Sequence, residues 1–432
     1  MGILPTFLYL SGSKCPPHKG KQMINPLRGM KDLTFEDSQR FIHTIKTAIE
    51  ISKRYGYSYI ETPILEETSL FKRSVGESSD IVGKEMYQFE DKGGNDVCMR
   101  PEGTAGIVRA FVSAKLDRQE MKHKFYYYGP MFRYERPQKG RLREFHQFGC
   151  ESFAEASVYE DFTIISMIKQ IFDELGIGFD LQINSLGCKT CMPAYREKLV
   201  GFLINIKDEL CKDCNRRIET NPIRVLDCKN KKCQNLLKDS PKLLANLCSE
   251  CNSDFNKLAK LLSTAKIKYE VNNNLVRGLD YYNKTAFEFI SNDIGAQSAI
   301  AGGGRYDSLV EFLDGKPTPA VGFAIGIERI MGLIKMPEPE REGIYMGAMT
   351  EEAVEKLFEL ASIKRKKSKV TLEYKSKGFK SHMKGADKVN ARYVILLGED
   401  EIEDGTVWFK NLETKEEKTM LLGEFCFNSH LP

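Results

Sequence analysis

Several groups of residues in this chain have the types and the spacing to do chemistry. From Tyr126 to Phe153 the chain reads YYYGPMFRYERPQKGRLREFHQFGCESF, two strand-like runs joined by a loop rich in Arg, Lys and Gly. A hairpin with Arg133 on one strand and a basic loop can clamp a nucleotide phosphate, because the planar guanidinium fork matches phosphate oxygens. Phe145 offers a base a stacking face. At Leu275–Phe289 (LVRGLDYYNKTAFEF) an arginine, an aspartate and two tyrosines crowd around glycine and run into the alternation of a half-buried strand, as at a strand edge serving a pocket. Ala320–Met331 (AVGFAIGIERIM) is a small-residue strand entering a helix that carries Glu328 and Arg329, a charged pair that is costly in an apolar run unless the arginine meets an anion. Ala299–Val310 (AIAGGGRYDSLV) lacks both the GKS/T ending and the GxGxxG spacing of phosphate loops, and reads as a pocket wall presenting Arg305 and Tyr306.

Cysteines form a separate pattern. Of 12 in the chain, eight fall in one segment as the pairs Cys188/Cys191, Cys211/Cys214, Cys228/Cys233 and Cys248/Cys251, three of them CxxC. This is structural-zinc spacing and fits a reducing, cytoplasmic setting. The pairs allow two closed four-thiolate sites, one site with the remaining pairs idle, or reduced structural cysteines.

These residues need scaffolds, and 432 residues suffice for two or three cores. No run approaches the roughly 20 apolar residues of a membrane-spanning helix. Residues 1–22 lack a positive n-region, are interrupted by Pro5, and read as a disordered extension or an upstream start rather than a signal peptide. Thr34 with Asp37 resembles a capping box opening an amphipathic helix that ends at Gly56. YSYIETPILE then reads as an edge or interface strand closed by Pro63. Strand-like runs at Lys124–Tyr128, Phe145–Phe153 and Thr285–Ile290 give this part an α+β character with a largely antiparallel sheet. The expected organisation is a domain built from 23–187 plus 269–335, a helical cysteine-rich insertion at 188–268, a linker at 336–342, and a C-terminal α/β domain at 343–432 with alternating strands and helices. Net charge is only +4, but residues 188–268 hold 17 Lys and Arg against 9 Asp and Glu, and 364–392 hold 11 against 2. Two basic patches on a near-neutral chain point to a polyanion held at two places.

Three segments, in chain order, resemble the signature motifs of class II aminoacyl-tRNA synthetases. Pro63 falls where that class has its dimer-interface motif, Phe132-Arg133-Tyr134-Glu135 resembles the second motif, and Gly326-Ile327-Glu328-Arg329 the third. RGLDYY (Arg277–Tyr282) and GGGRYD (Gly302–Asp307) are similar to the pair of signatures peculiar to the histidyl-tRNA synthetase family. MRPEGTAG (Met99–Gly106) fits the same family, and the resemblance runs from about Met23 to Leu422.

The resemblance implies a class II catalytic fold, a C-terminal anticodon-binding domain to which Gly385–Glu401 is similar, and ligation of histidine to its tRNA with ATP and Mg²⁺. It implies Arg277 and Arg133 as catalytic cations, and Glu102, Thr104 and Gln147 at the histidine α-amino group. Glu151 and Tyr282 would bind the imidazole, with Tyr281 and Tyr306 in the same pocket. Arg133, Phe145 and Arg329 would hold ATP, and Arg136, Gln138 and Arg143 the tRNA acceptor end; Glu135 is the candidate Mg²⁺ ligand. It further implies a homodimer. A synthetase-like regulatory subunit of a histidine-biosynthetic phosphoribosyltransferase is the alternative that keeps this fold, and a zinc-dependent RNA-binding protein without enzymatic activity is the one that abandons catalysis.

Overall fold

The computed structural model describes residues 24–76, 79, 81–138, 140–228, 230–294, 299–338 and 340–427, so the expected extension at 1–22 lies outside them. Two compact units divide at Lys335/Met336.

The first unit is organised by an eight-stranded sheet in the order Ser58–Tyr59, His123–Phe132, Glu144–Phe153, Ala320–Gly326, Ala299–Arg305, Asn283–Ile290, Asp180–Ser185, Glu270–Val271. The six inner strands are antiparallel and the two outermost pair in parallel. Side chains alternate between faces, and the sequence exploits this in a consistent way. Phe148, Cys150, Phe287, Phe289, Val321, Phe323 and Ile325 point to one face and form a core with the helices Phe35–Arg54, Val158–Glu174 and Ser249–Thr264. The intervening positions Gly302, Gly322, Ala324 and Gly326 are small, which leaves the other face open. An antiparallel sheet tolerates that one-sided arrangement.

Local readings differ from the structure at three points. Thr34 is the N-cap of the helix Phe35–Arg54, but its side chain makes no capping bond, and Asp37 pairs with Lys31 instead of closing a capping box. The expected strand around Pro63 is cut short to Ser58–Tyr59, and Leu65–Glu67 joins a separate three-stranded sheet with Asp96–Met99 and Tyr87–Glu90. Arg305 does not face the pocket. It is 2% exposed and directed to the helical layer, where its Nε and Nη2 donate to Asp161 Oδ2 at 2.8 and 2.6 Å, and to the Glu155 and Ser157 carbonyls through Nη1 and Nη2. Its neighbour Tyr306 is buried as well and directs its hydroxyl to Glu151.

The second unit contains a five-stranded sheet ordered Val370–Leu372, Ile344–Ala348, Tyr393–Leu397, Thr406–Asn411, Glu417–Leu421, parallel across the first three strands and antiparallel beyond. Helix Glu351–Lys364 packs Leu357, Leu360 and Ala361 against Ile395 and Leu397, while helix Phe379–Lys388 brings Ala386 to Val394 and Leu396. The basic patch is smaller than its count: Lys364 is buried over the Phe425 ring, and Lys369, Lys377 and Arg392 are paired with Glu342, Glu373 and Glu413. Lys366, Lys367, Lys375, Lys380, Lys384 and Lys388 remain exposed.

Asp161 is fully buried and its guanidinium partner Arg305 is only 2% exposed. Asp161→Ala should lower the unfolding free energy by about 3 kcal/mol by removing the buried partner of that charge, which Asp307 at 3.4 Å from Arg305 Nη1 only partly replaces, measured by denaturant unfolding; a loss under 1 kcal/mol would contradict the anchoring role.

Candidate active site

The open face of the sheet holds a cleft of about 530 Å³, within the size range of small-molecule sites. Its lining includes Glu102, Thr104, Arg133, Glu135, Phe145, Gln147, Arg277, Tyr281, Tyr282 and Arg329, so residues dispersed over more than two hundred positions meet in one place.

One end is built on the start of helix Thr104–Ser113. The Glu102 carboxylate accepts the backbone N–H groups of Thr104 and Ala105 at 2.7 and 2.8 Å, and Tyr281 Oη stands 3.5 Å from it. Desolvation nevertheless raises the Glu102 pKa. Gln147, on strand Glu144–Phe153, lines the same cleft, and its buried Oε1 lacks a hydrogen-bond partner among the described residues.

Glu151 and Tyr306 lie behind this wall rather than on it. Glu151 is 0% exposed, and its carboxyl accepts hydrogen bonds from Thr104 Oγ1 at 2.7 Å, Tyr127 Oη at 3.2 Å and Tyr306 Oη at 2.5 Å. Three hydroxyls favour the anion, but desolvation outweighs them and pushes the pKa from its ordinary 4.5 up to about 8. Gly322 faces this carboxyl so closely that a Cβ would overlap it. Tyr127 is a site residue that the motifs do not reveal; its signal was the middle position of the YYY run, which alternation turns inward while Tyr128 is exposed.

The other end is cationic. Arg277 donates to Glu288 Oε1 at 2.9 Å, its guanidinium lies 5.5 Å from the centre of the Tyr282 ring, and it passes directly over Gly302, where a side chain would displace it. Arg133 donates through Nε to the Pro101 carbonyl at 2.8 Å and stands 5.2 Å from the Phe145 ring centre. Glu135 is paired with Arg141 and lies 3.9 Å from Arg133. Among the described residues Arg329 donates to carbonyls alone, those of Gly140 at 3.1 Å and Ala299 at 2.8 Å, while Glu328 is occupied by His146. Burial, then the positive charges of Arg133 and Arg141, lower the Arg329 pKa. Such a cluster carries unmet positive charge and suits a polyanion.

The loop between the hairpin strands places Arg136 and Gln138 in solvent. Arg143 is instead built into the loop base, its guanidinium 3.7 Å from the centre of the Tyr134 ring and its backbone N–H bonded to the Gly29 carbonyl.

The eight insertion cysteines gather into two quartets, Cys188, Cys191, Cys248 and Cys251, and Cys211, Cys214, Cys228 and Cys233, with the sulfurs of each within 4.8 Å of one another.

Residues 29–190 and 210–330 match the family model described as histidyl-tRNA synthetase, and residues 343–426 match that of the anticodon binding domain. The chain belongs to the histidyl-tRNA synthetase family. A relative from a Sulfurovum species, named histidine–tRNA ligase, is 77% identical over 93% of this chain and 100% of its own length. Another of that name, from Sulfurimonas denitrificans, is 65% identical over 92% and 99%. The crystal structure of apo histidyl-tRNA synthetase from S. aureus superposes with a TM-score of 0.78 at 31% identity, covering 94% of this chain and 99% of that one. A Bacillus halodurans structure titled as an ATP phosphoribosyltransferase regulatory subunit/histidyl-tRNA synthetase shares the fold, with a TM-score of 0.62 at 21% identity over 87% of this chain and 99% of that one. Like other members of the histidyl-tRNA synthetase family, the chain therefore combines a class II catalytic sheet with a C-terminal anticodon-binding unit.

The raised Glu151 pKa has a direct consequence for stability. The folded chain holds that proton more tightly than the unfolded one, so this carboxyl's contribution is fully present below pH 4.5 and is lost as pH rises toward about 8. Stability of the parent relative to Glu151→Gln should thus fall between those limits and level off above; a pH-independent difference would contradict the assignment.

Proposed function

We propose that this chain is a histidine–tRNA ligase, joining histidine to ATP as histidyl-adenylate with release of pyrophosphate and then passing histidine to a ribose hydroxyl at the 3′ end of its tRNA. The observation that carries this reading is the cleft itself, whose lining brings Arg133, Arg277 and Arg329 together with Glu102, Thr104 and Tyr282, while Thr104 hydrogen-bonds the desolvated, hydroxyl-ringed Glu151 carboxyl directly behind it.

In this reading Glu102, Thr104 and the unpaired Gln147 oxygen receive the histidine α-amino group. Tyr282 and Glu151 specify the imidazole, the ring exchanging one hydroxyl bond to Glu151 for its own N–H, with Tyr281 and Tyr306 closing the pocket. A site built to hydrogen-bond two ring nitrogens rejects side chains that leave those groups unpaired. Phe145 stacks on adenine, Arg133 and Arg277 grip the α-phosphate from two sides, and Arg329 holds the γ-phosphate. The histidine carboxylate attacks the α-phosphorus and pyrophosphate leaves, so no protein nucleophile is required and catalysis is positioning plus charge stabilisation. Glu135 and Glu288 are hard oxygen donors on the cleft lining and fit Mg²⁺, which when bound neutralises triphosphate charge.

Arg136 and Gln138 meet the tRNA acceptor end on a loop whose base Arg143 fixes, and the exposed lysines of the C-terminal unit meet the anticodon arm, phosphate contacts giving affinity rather than sequence reading. The edge strand Ser58–Tyr59 supports a homodimer: Tyr59, Ile64, Leu65 and Tyr128 form exposed apolar surface there. None of the helices among the described residues is long and apolar enough to cross a membrane, and we place the enzyme in the cytoplasm. The regulatory-subunit reading leaves Arg133, Arg277 and Arg329 without a task.

Each cysteine quartet, in the same proposal, holds one structural zinc. A tetrahedral ion about 2.3 Å from each sulfur sets the sulfurs roughly 3.8 Å apart. The separations are 3.7 Å for Cys188–Cys191, 3.8 Å for Cys188–Cys248 and 3.8 Å for Cys211–Cys228. Backbone N–H groups of Thr190, Cys248, Cys211 and Asn230 point at sulfurs at 3.1–3.4 Å, as thiolate ligands require.

ATP–pyrophosphate exchange should occur with histidine and with no other amino acid. Arg277→Ala should lose 100-fold or more of that exchange, about the cost of one preorganised donor, with an unchanged circular dichroism spectrum; near-parent exchange would sink the role given to Arg277. Chelation under reducing conditions should release zinc and weaken tRNA binding, and a chelated chain with intact insertion and tRNA affinity would refute the zinc sites.

A further inference from the structure

The insertion does more than project from the catalytic sheet: its middle is bonded to the segment that carries Arg277 and Tyr282, and its neck is tied to Lys284 just beyond that segment. Residues 275–282 have no regular secondary structure, so their position depends on tethers. At the neck, Leu186 N–H donates to the Lys284 carbonyl at 2.6 Å and Lys284 N–H to the Gly187 carbonyl at 2.7 Å. Cys188 of the first quartet follows directly. Lys284 Nζ also reaches Glu250 at 2.8 Å and Asp254 at 3.3 Å on helix Ser249–Thr264, which starts at Cys248 of the same quartet.

The second tether comes from the middle of the insertion. Asn221 Nδ2 donates to Asp280 Oδ1 at 2.9 Å, and Arg224 Nη1 donates to the Gly278 carbonyl at 2.7 Å while lying 4.0 Å from Asp280. Both residues sit on the short turn between Cys214 and Cys228. Val225, within that turn, is fully buried in one core with Cys214, Cys228 and Cys233. The quartet thus fixes the turn, and the turn holds Gly278 and Asp280, two of the three residues between Arg277 and Tyr281.

We propose that the insertion is a clasp on the histidine-site loop, with Asn221 and Arg224 as positioning residues for Arg277 and Tyr282 and the second quartet as the rivet that sets their place. This rests on the ligase reading, and for the rivet on the zinc reading. It assigns the insertion a part in amino-acid activation, before any tRNA is bound. A lobe serving only to grip the acceptor stem would have no such part.

Parent exchange with histidine, measured first on the full chain, tests the ligase reading by itself. In tRNA-free exchange, Arg224→Ala should raise the histidine KM roughly tenfold or more, the cost of a hydrogen bond from a charged donor. The ATP KM and the zinc content should be unchanged, and Arg224→Lys should recover part of the loss. A merely structural defect would lower kcat through the active fraction and leave KM alone. Cys228→Ser should lose one of two zinc ions per chain and raise the histidine KM in the same direction. A parent-like histidine KM in Arg224→Ala, or a defect confined to tRNA charging, overturns the clasp. Full zinc content in Cys228→Ser overturns the rivet alone, and Arg224→Ala still decides the clasp.

Discussion

The cleft exists because alternate positions on the central strands carry too little side chain to fill it. Val321, Phe323 and Ile325 bury themselves against helices on one face, while Gly322, Ala324 and Gly326 leave the other face bare. Gly302, facing Ala324 in register and Glu288 on its other side, does the same one strand over. A Cβ at Gly302 would meet the Arg277 guanidinium and one at Gly322 the Glu151 carboxyl, so the backbone itself is part of the binding surface. Everything that acts in the cleft is placed relative to that bare floor.

On this floor the charged groups are held before any ligand arrives. Arg277 is fixed by Glu288 and a ring face, Arg133 by a carbonyl and Phe145, Arg329 by two carbonyls. Carbonyl partners orient a guanidinium without neutralising it, which keeps the charge available to phosphate and leaves little reorganisation for the reaction itself. Glu151 represents the opposite strategy: its hydroxyl partners cannot offset the loss of water, so it keeps a proton at neutral pH that an exposed carboxyl would release.

Much of this was legible in the sequence because signature residues travel with their local pattern. The alternation of Phe145–Phe153 declared a strand, the small residues of Ala320–Gly326 declared another that enters a helix, and the C-terminal strand–helix alternation declared a partly parallel sheet. What stayed hidden is depth. Motif identity puts Glu151 and Tyr306 at the site, but only packing shows them behind Thr104. The charge of Arg305 suggested a pocket group, whereas Asp161, far off in the chain, turns it around. Likewise CxxC spacing reveals pairs and not partners, since the first pair joins the last and the two inner pairs join each other. The closing hairpin Thr406–Leu421 went unread because its turn relies on Asn411 accepting the N–H groups of Glu413 and Thr414, with Lys415 at a positive φ, instead of on glycine.

That nesting has a topological consequence. The outer quartet draws residues 188–191 against 248–251, at the point where the chain leaves strand Asp180–Ser185 and shortly before it returns as the neighbouring strand Glu270–Val271. Entry and exit of the insertion are therefore closed at a single neck, and the sheet register on either side is independent of how much chain the neck encloses. Doubling an enclosed loop costs only about 0.6 kcal/mol. The insertion can thus lengthen or shorten away from the turn that carries Asn221 and Arg224 while the catalytic sheet stays in register beneath it.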